Sequence, residues 1–394
     1  MNFYRTQTAD IVIIGGGVLG CSTAYNLAKH GAKKVILLER KELASGGTGK
    51  SCAILRTHYS IRANLIHAVK SLRIYQNFSE TVGGAAGFRR TGYLVLGPEE
   101  HRKDMRAVFR IQNKYGVDTA ELTPKQARAL HPLVEVDDVP VLGYDSLAGY
   151  CDPRLTTRSY AKRAQDLGVT LLTETAVTGL ETQGQTYLVH TPRGVFECAQ
   201  LLLATGPWTN GLGAMLGVEF PYVVSRHKVI TLKIDQPYQA KWPIVKDLTT
   251  PDKIYCRPAS GGSLLVGTGD HGDPIQDPDT PTDEIDERHV ARIRKLLARR
   301  MPAFQKSHFA DGWTGPYDIT PDWNPILGPV PGHGGLSVAV GFSGHGFKLA
   351  PTLGESLAQT LLGLAATIPI DMYGMERFQT GAVLEGVYGI GSIS

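Results

Sequence analysis

The 394-residue sequence is poor in the features that mark several protein classes. It has five cysteines, Cys21, Cys52, Cys151, Cys198 and Cys256, odd in number, widely spaced and without a Cys-x-x-Cys pair. That spacing excludes a disulfide framework or a zinc site as an expectation, so no metal is expected, and reduced thiols in a cytoplasmic protein are the default. No run approaches ~18 consecutive apolar residues, so no membrane span is expected. The first ten residues have no apolar core of signal-peptide type, and Gly391-Ser392-Ile393-Ser394 is not a Ser-Lys-Leu address. Lys plus Arg number 41 against 37 for Asp plus Glu, and no block of like charge stands out. A nucleic-acid partner is therefore not expected. Internal repeats and low-complexity segments are missing as well.

What remains is the composition of a folded chain, 42% hydrophobic and 20% charged. Its length sets a soft expectation of two or three domains. Glycine is plentiful, 45 residues, against an average of about 7%. Part of the excess clusters where backbone must approach something closely.

Asp10-Ile11-Val12-Ile13-Ile14 reads as a buried strand running into Gly15-Gly16-Gly17-Val18-Leu19-Gly20, a G-x-G-x-x-G. Residues 18–30 read as a helix capped by Gly31, and 35–38 as a second strand, which makes a right-handed β-α-β unit. In that context Gly15 permits the turn, Gly17 lets a pyrophosphate reach the backbone, and Gly20 lets helix pack on strand. The helix N-terminus offers N–H groups and a partial positive charge to that pyrophosphate. Glu39 ends the second strand, where its carboxylate can hold a ribose 2′-OH and disfavour a 2′-phosphate. A bare glycine-rich turn is the competing reading.

Further along, 60–82 reads as a helix and 92–96 as a strand. Thr123-Pro124 and Asp152-Pro153 open helices. Strands are expected at 169–172, 176–181, 200–204, 223–233, 253–257, 264–268 and 336–341, and helices at 284–300 and 347–362. Residues 270–283 read as a surface loop. The fold expected is α/β: a Rossmann-like nucleotide domain assembled from 1–90, 150–220 and 325–394. It interleaves with an α+β substrate domain, 91–149 and 221–324, on a mostly antiparallel sheet. The hydrophobic strand ending in Ala204-Thr205-Gly206-Pro207-Trp208 can lie parallel over the same nucleotide. Gly341-Phe342-Ser343-Gly344-His345-Gly346-Phe347-Lys348 is a second glycine-rich strand-to-helix turn. Its helix could direct a positive end at the pyrimidine side of a flavin.

On these motifs, with Tyr317-Asp318-Ile319-Thr320-Pro321-Asp322, the chain resembles the FAD-dependent amine and amino-acid oxidoreductases that include glycine oxidase and sarcosine oxidase. It looks most like the monomeric sarcosine oxidases and the β subunits of the heterotetrameric ones. The resemblance implies FAD as cofactor. It puts Glu39 and Arg40 by the adenosine ribose, Lys50, Ser51 and Cys52 along the flavin, and Val177 on the adenine side. Ile14, Val18 and Leu19 would join the motif glycines, and Ala204, Thr205, Gly206 and Trp208 the nucleotide wall. Gly344, His345, Gly346, Phe347 and Lys348 would line the isoalloxazine. The substrate carboxylate would be held by Arg56 and Lys348, with Tyr317, Tyr255, His58 and Arg257 as candidate pocket groups. A structural ion pair competes for Arg56, a solvated helix-start lysine for Lys348, and core packing for the tyrosines.

Two positions depart from that family. Gly315 stands where the sarcosine oxidases carry the cysteine that bonds their flavin, so FAD is expected to be held non-covalently. Leu265 stands where the oxidases have a lysine that helps O₂ react, so the electron acceptor is open between O₂ and another species. The reaction expected is oxidation of the C–N bond of a small amino acid by hydride transfer to flavin N5, giving an imine. The alternatives are a partner-dependent subunit of a multi-chain dehydrogenase and an NAD-dependent dehydrogenase. The latter leaves the C-terminal glycine turn unexplained.

Overall fold

The computed structural model of the chain describes residues 6–269, 272–280, 285–388 and 391. Both extreme termini and part of the expected loop at 270–283 lie outside the described residues. In chain order the elements begin with β1 (Gln7–Ile14), α1 (Val18–Lys29), β2 (Val35–Leu38), β3 (Ile54–Leu55), α2 (Arg62–Gln76), α3 (Phe78–Thr81), β4 (Arg89–Arg90) and β5 (Tyr93–Gly97). There follow α4 (Arg102–Lys114), β6 (Thr119–Glu121), α5 (Pro124–Leu130), β7 (Val141–Asp145), β8 (Gly149–Tyr150), α6 (Pro153–Asp166), β9 (Thr170–Leu172), β10 (Gly179–Gln183), β11 (Thr186–Thr191) and β12 (Gly194–Leu203). The second half holds α7 (Thr209–Gly213), β13 (Val223–Lys233), β14 (Ile244–Asp247), β15 (Tyr255–Pro258), β16 (Leu264–Gly267), β17 (Asp273–Ile275), α8 (Glu287–Ala298) and β18 (His308–Ile319). It closes with β19 (Ile326–Pro329), β20 (Leu336–Val340), α9 (Gly346–Leu361) and α10 (Arg377–Thr380).

Two large sheets carry the fold. The first has the order β10-β11-β12-β1-β2-β9, with β20 beside β12 and β19 beside β20. Its centre is parallel: β1 pairs with both β12 and β2, β2 with β9, and β12 with β20. Helices cover it, which is why Val35–Leu38 reads as an unbroken apolar run rather than an alternation. Ser22 on α1 donates through Oγ to the Ala350 carbonyl of α9 at 3.0 Å, and a Cβ at Gly354 would collide with Ser22. The two helices therefore lie in close contact.

The second sheet has nine strands in the order β17-β13-β16-β15-β14-β5-β7-β6, with β18 beside β13, and is antiparallel except where β14 meets β5. A mixed α/β fold with a Rossmann-like layer and a mostly antiparallel second sheet is thus observed as expected. The two proline-led helices start as expected too. Thr123 forms a capping box with Gln126, and the Asp152 carboxylate accepts the N–H groups of Arg154 and Leu155.

Local differences have local causes. The helix expected over 60–82 breaks at Asn77, whose φ of −116° and ψ of 35° leave the helical well between α2 and α3. The strand expected at 176–181 starts only at Gly179, and Ala176 and Val177 stay in the preceding loop. The described part of 270–283 is not simply a loop, because Asp273–Ile275 adds β17 to the edge of β13. Among the described residues no helix is long and apolar enough to cross a membrane, and no group of three His, Cys, Asp or Glu could hold a metal.

Candidate active site

A cavity of about 650 Å³ runs from the start of α1 to the start of α9, within the range of roughly 300–1,000 Å³ usual for ligand clefts. At its first end β1 stops at Ile14 and α1 begins at Val18. Gly15 takes φ 119°, and a Cβ there would collide with the Ala204 carbonyl; one at Gly20 would collide with the Gly15 carbonyl. Gly20 does not line the cavity. It lets α1 close on the turn. Gly17 does line it and caps α1 without a side chain, while Thr48 Oγ1 accepts the Val18 N–H at 3.1 Å.

Glu39 is fixed on the same wall. Its Oε2 accepts the Gly16 N–H at 2.7 Å and its Oε1 the Lys41 N–H at 2.8 Å. A carboxylate held this way, at a helix N-terminus, fits a nucleotide ribose beside a pyrophosphate. Arg40 lies 4.5 Å over the Trp208 ring and makes a two-pronged ion pair with Asp279, at 2.8 and 2.7 Å. The Arg40 guanidinium holds the Asp279 carboxyl below its ordinary range. Asp279, with Pro278 and Thr280, closes this end of the cavity from the stretch read as a surface loop.

Ile14, Val18, Leu19, Lys50, Ser51, Val177, Ala204, Thr205, Gly206 and Trp208 also line the cavity. At the far end the turn from β20 into α9 carries Gly341 at φ 76°, Ser343 at φ 49° and Gly344 at φ 79°. A Cβ at Gly344 would meet the Tyr317 ring, so glycine is required there. Asp318 ties the turn together: its Oδ2 accepts the Gly341 N–H at 2.7 Å and its carbonyl the Ser343 N–H at 3.0 Å. Burial pushes the Asp318 carboxyl up to about 6. Gly344, Gly346, Phe347 and Tyr317 line this end.

Several expected residues stand behind that wall rather than in it. Cys52, Gly315, His345, Lys348, Arg56, His58, Tyr255 and Arg257 do not line the cavity. A Cβ at Gly315 would meet Lys50 Cβ at 3.3 Å, so its side is filled by Lys50. His345 packs edge-on against Tyr59, at 5.6 Å between centroids. Cys52 is a hub: its Sγ is 3.4 Å from the Tyr255 hydroxyl and its carbonyl accepts Arg257 Nε at 2.7 Å. The Tyr255 hydroxyl in turn hydrogen-bonds that of Tyr317.

Lys348 is 8% exposed, which rules out a solvated helix-start lysine. Its Nζ donates to the Gly344 carbonyl at 3.4 Å. Burial, then the nearby Arg56 charge, lowers its proton affinity well below the lysine range. Arg56, 6% exposed, lies 4.2 Å over the Tyr59 ring and donates to the His58 carbonyl. His58 is kept neutral by burial, pushed down to about 3, with its Nε2 3.0 Å from the Tyr388 hydroxyl. Tyr59 and the His58 carbonyl thus hold Arg56, and the Gly344 carbonyl of the glycine turn holds Lys348.

The profile of the family described as DAO, FAD dependent oxidoreductase, matches residues 10–360. The chain belongs to this family. It is 29% identical over 389 residues to sarcosine oxidase subunit beta of an Arthrobacter species, covering 96% of this chain and 93% of that one. It is 30% identical over 375 residues to human mitochondrial dimethylglycine dehydrogenase, covering 90% of this chain but only 42% of the relative, so it spans less than half of that enzyme's length. L-proline dehydrogenase from P. horikoshii superposes with a TM-score of 0.87 at 28% identity, over 96% of this chain and 99% of that one. FAD is the cofactor of the family, and the cavity fits it: two helix N-termini, a fixed carboxylate at one end and a glycine turn at the other.

Sequence reasoning missed several residues of this FAD-dependent site. Thr48 sits in a run of small residues, Gly46-Gly47-Thr48-Gly49, that follows Glu39 closely enough to have been a signal. His227, stacked on Tyr317 at 3.9 Å, and Asp279 had none, because only the pairing of distant strands brings them in.

Proposed function

We propose that this FAD-dependent oxidoreductase oxidises the C–N bond of a small amino acid, a secondary or primary amine, to the imine. One observation carries the reading: two buried cations, Arg56 and Lys348, lie against the Gly344 end of the cavity, near enough for one to depress the protonation of the other. A carboxylate entering so dry a place needs such partners to offset its desolvation, and they would fix the substrate C–H toward the cavity. When bound, FAD supplies the two-electron acceptor. The chain's own part is to hold the carboxylate, orient the amine and exclude water. Neutral His58 is in no position to act as a general base, which agrees with selection of an already neutral amine. Tyr317, braced by His227 and Tyr255, would form the pocket wall, with Arg257 holding the Cys52 carbonyl behind it.

The FAD-binding part would comprise 1–90, 150–220 and 325–394, and the substrate part 91–149 and 221–324. FAD would be held non-covalently, since Gly315 offers no nucleophile and the five cysteines are all buried. Those reduced thiols also fit a cytoplasmic setting. The acceptor would be something other than O₂. Leu265 is 1% exposed and packs in an apolar cluster with Cys52 and Val229, so no cation faces the site from β16. The likeness to a β subunit over 93% of that chain's length supports a partner subunit.

The test is anaerobic titration of the FAD-loaded protein with sarcosine, dimethylglycine, glycine, both prolines, both alanines and larger N-methyl amino acids. Bleaching of the visible flavin bands by one of them, with slow return of colour on admitting air, is the expected result. A flavin that none of them bleaches, with or without a co-expressed partner, would overturn the reading.

A further inference from the structure

We propose that Asp145 is a positioning residue for the reaction, setting the place of Arg56 from both sides of the short segment that carries it. The inference rests on the carboxylate-clamp reading above and deepens it. Arg56 directly follows β3, a strand of only two residues. Two of its contacts, the His58 carbonyl and the Tyr59 ring, belong to the same segment. Such local contacts fold the guanidinium onto its own stretch of chain, and that stretch has to be held from elsewhere.

Asp145 holds it. The residue ends β7, where it lies opposite Tyr93 of β5 and Thr119 of β6. Its Oδ2 accepts the hydroxyl of Thr57, the residue after Arg56, at 2.7 Å. Thr57 Oγ1 in turn accepts Gln112 Nε2 of α4 at 2.9 Å, so the hydroxyl both donates and accepts. All three side chains are buried.

The other oxygen works on the opposite side of Arg56. Asp145 Oδ1 accepts the N–H groups of Leu147 and Ala148 at 2.9 and 3.2 Å, which shapes the turn from β7 into β8. β8 pairs with β3, with Gly149 opposite Leu55. One carboxylate thus grips Thr57 directly and Leu55 through β8, and Arg56 stands between them. Burial pushes the Asp145 carboxyl up, so its charge is kept at a cost that hydrogen bonds must offset. An asparagine, with one side-chain oxygen, could make the turn alone. The hold on Thr57 requires the second oxygen. A guanidinium recognises a carboxylate through directed N–H groups, so a small displacement of Arg56 weakens the clamp.

Methylthioacetate, a thioether acid with no oxidisable amine, tests this on the FAD-loaded protein by flavin difference spectra. Thr57→Val and Asp145→Asn should each weaken its binding roughly 10-fold with FAD content intact. Thr57→Ser, which keeps the hydroxyl, should bind it nearly as the parent does. In an Arg56→Ala background Thr57→Val should add no further loss, because the two residues act as one unit. Parent-like binding by Thr57→Val, or a loss that adds in full to that of Arg56→Ala, would overturn the positioning role and leave the clamp standing. Loss of FAD from both Thr57→Val and Asp145→Asn would overturn it as well, since the pair would then serve the fold rather than Arg56. Binding of methylthioacetate that Arg56→Ala leaves unchanged would overturn the clamp reading, and this inference with it.

Discussion

At the scale of single residues the site depends on a few atoms. In the proposed clamp Lys348 Nζ would offer one charge-assisted contact to the substrate carboxylate, and such a contact contributes about 1.5–3 kcal/mol. Lys348→Ala or Arg56→Ala should therefore lower kcat/KM roughly 10- to 100-fold while FAD stays bound; unchanged kinetics with an active substrate would remove the clamp. The pH dependence has a definite sign. In the proposed clamp the charged ammonium would hold the carboxylate, and burial with the Arg56 charge lowers the pH at which it deprotonates. Inhibition by a thioether acid, which has no amine to titrate, should weaken as pH rises through a point below the ordinary lysine range. Lys348→Arg, whose guanidinium stays protonated, should move that point upward. At the other end of the cavity, Gly17→Val should yield protein with little FAD. A Cβ there already meets Thr48 Oγ1 at 3.1 Å, and the added methyls would enter the pyrophosphate space. Full flavin content in that variant would refute the assignment. The parts played by Gly15 in the turn and Gly20 in helix packing were legible because a motif of six residues carries its own geometry. The place of His227 was not, because it comes against Tyr317 only through the pairing of β13 with β18.

At the scale of elements, patterns that repeat with their own period were readable. The strand over 223–233 is observed residue for residue as Val223–Lys233, and α1 and α9 start and end within a residue of expectation. β18 was not readable. Its residues include Gly312, Gly315 and Pro316, poor strand formers that hold an extended form because β13 pairs with them along most of its length. α4 buries Met105, Val108, Phe109 and Gln112 at helical spacing, but eight of its thirteen residues are charged or amide-bearing and obscure the pattern. The segment that carries Asp279 is the element-scale surprise, since it crosses from β17 to shut the nucleotide end. Its ion pair with Arg40 is half exposed, at 37% and 48%, so it is worth at most about 1 kcal/mol. Asp279→Ala should raise the FAD dissociation constant by no more than about fivefold, with a smaller effect at high salt, as followed by flavin fluorescence. A hundredfold loss would mean that the segment does more than brace Arg40.

At the scale of the whole molecule, burial sets the response to acid. His58 and His67 are pushed down to about 3 and His131 to about 4, each by burial. In the unfolded chain they would titrate near 6.5. The unfolded state therefore binds more protons below that pH, and stability falls as pH drops from 6.5 toward these folded values. Each histidine should cost about 1 kcal/mol between pH 7 and 5.5. Asp318, raised to about 6, and Asp145, also raised by burial, act in the opposite sense. The test is the difference in unfolding temperature between pH 7 and 5.5: His67→Gln should shrink it, and an unchanged difference would refute the assignment to this histidine.

The sequence by itself determined the β-α-β unit with its glycine turn, the acid at Glu39 and the second glycine turn. Each is a local pattern whose chemistry is complete within a few residues. Only the tertiary structure decided what surrounds them. Tyr255, Cys52 and Tyr317 meet across 265 positions of chain, and Asp279 closes on Arg40 across 239. Such contacts follow from strand order and register, which are set by the packing of both sheets together and leave no trace in any one segment.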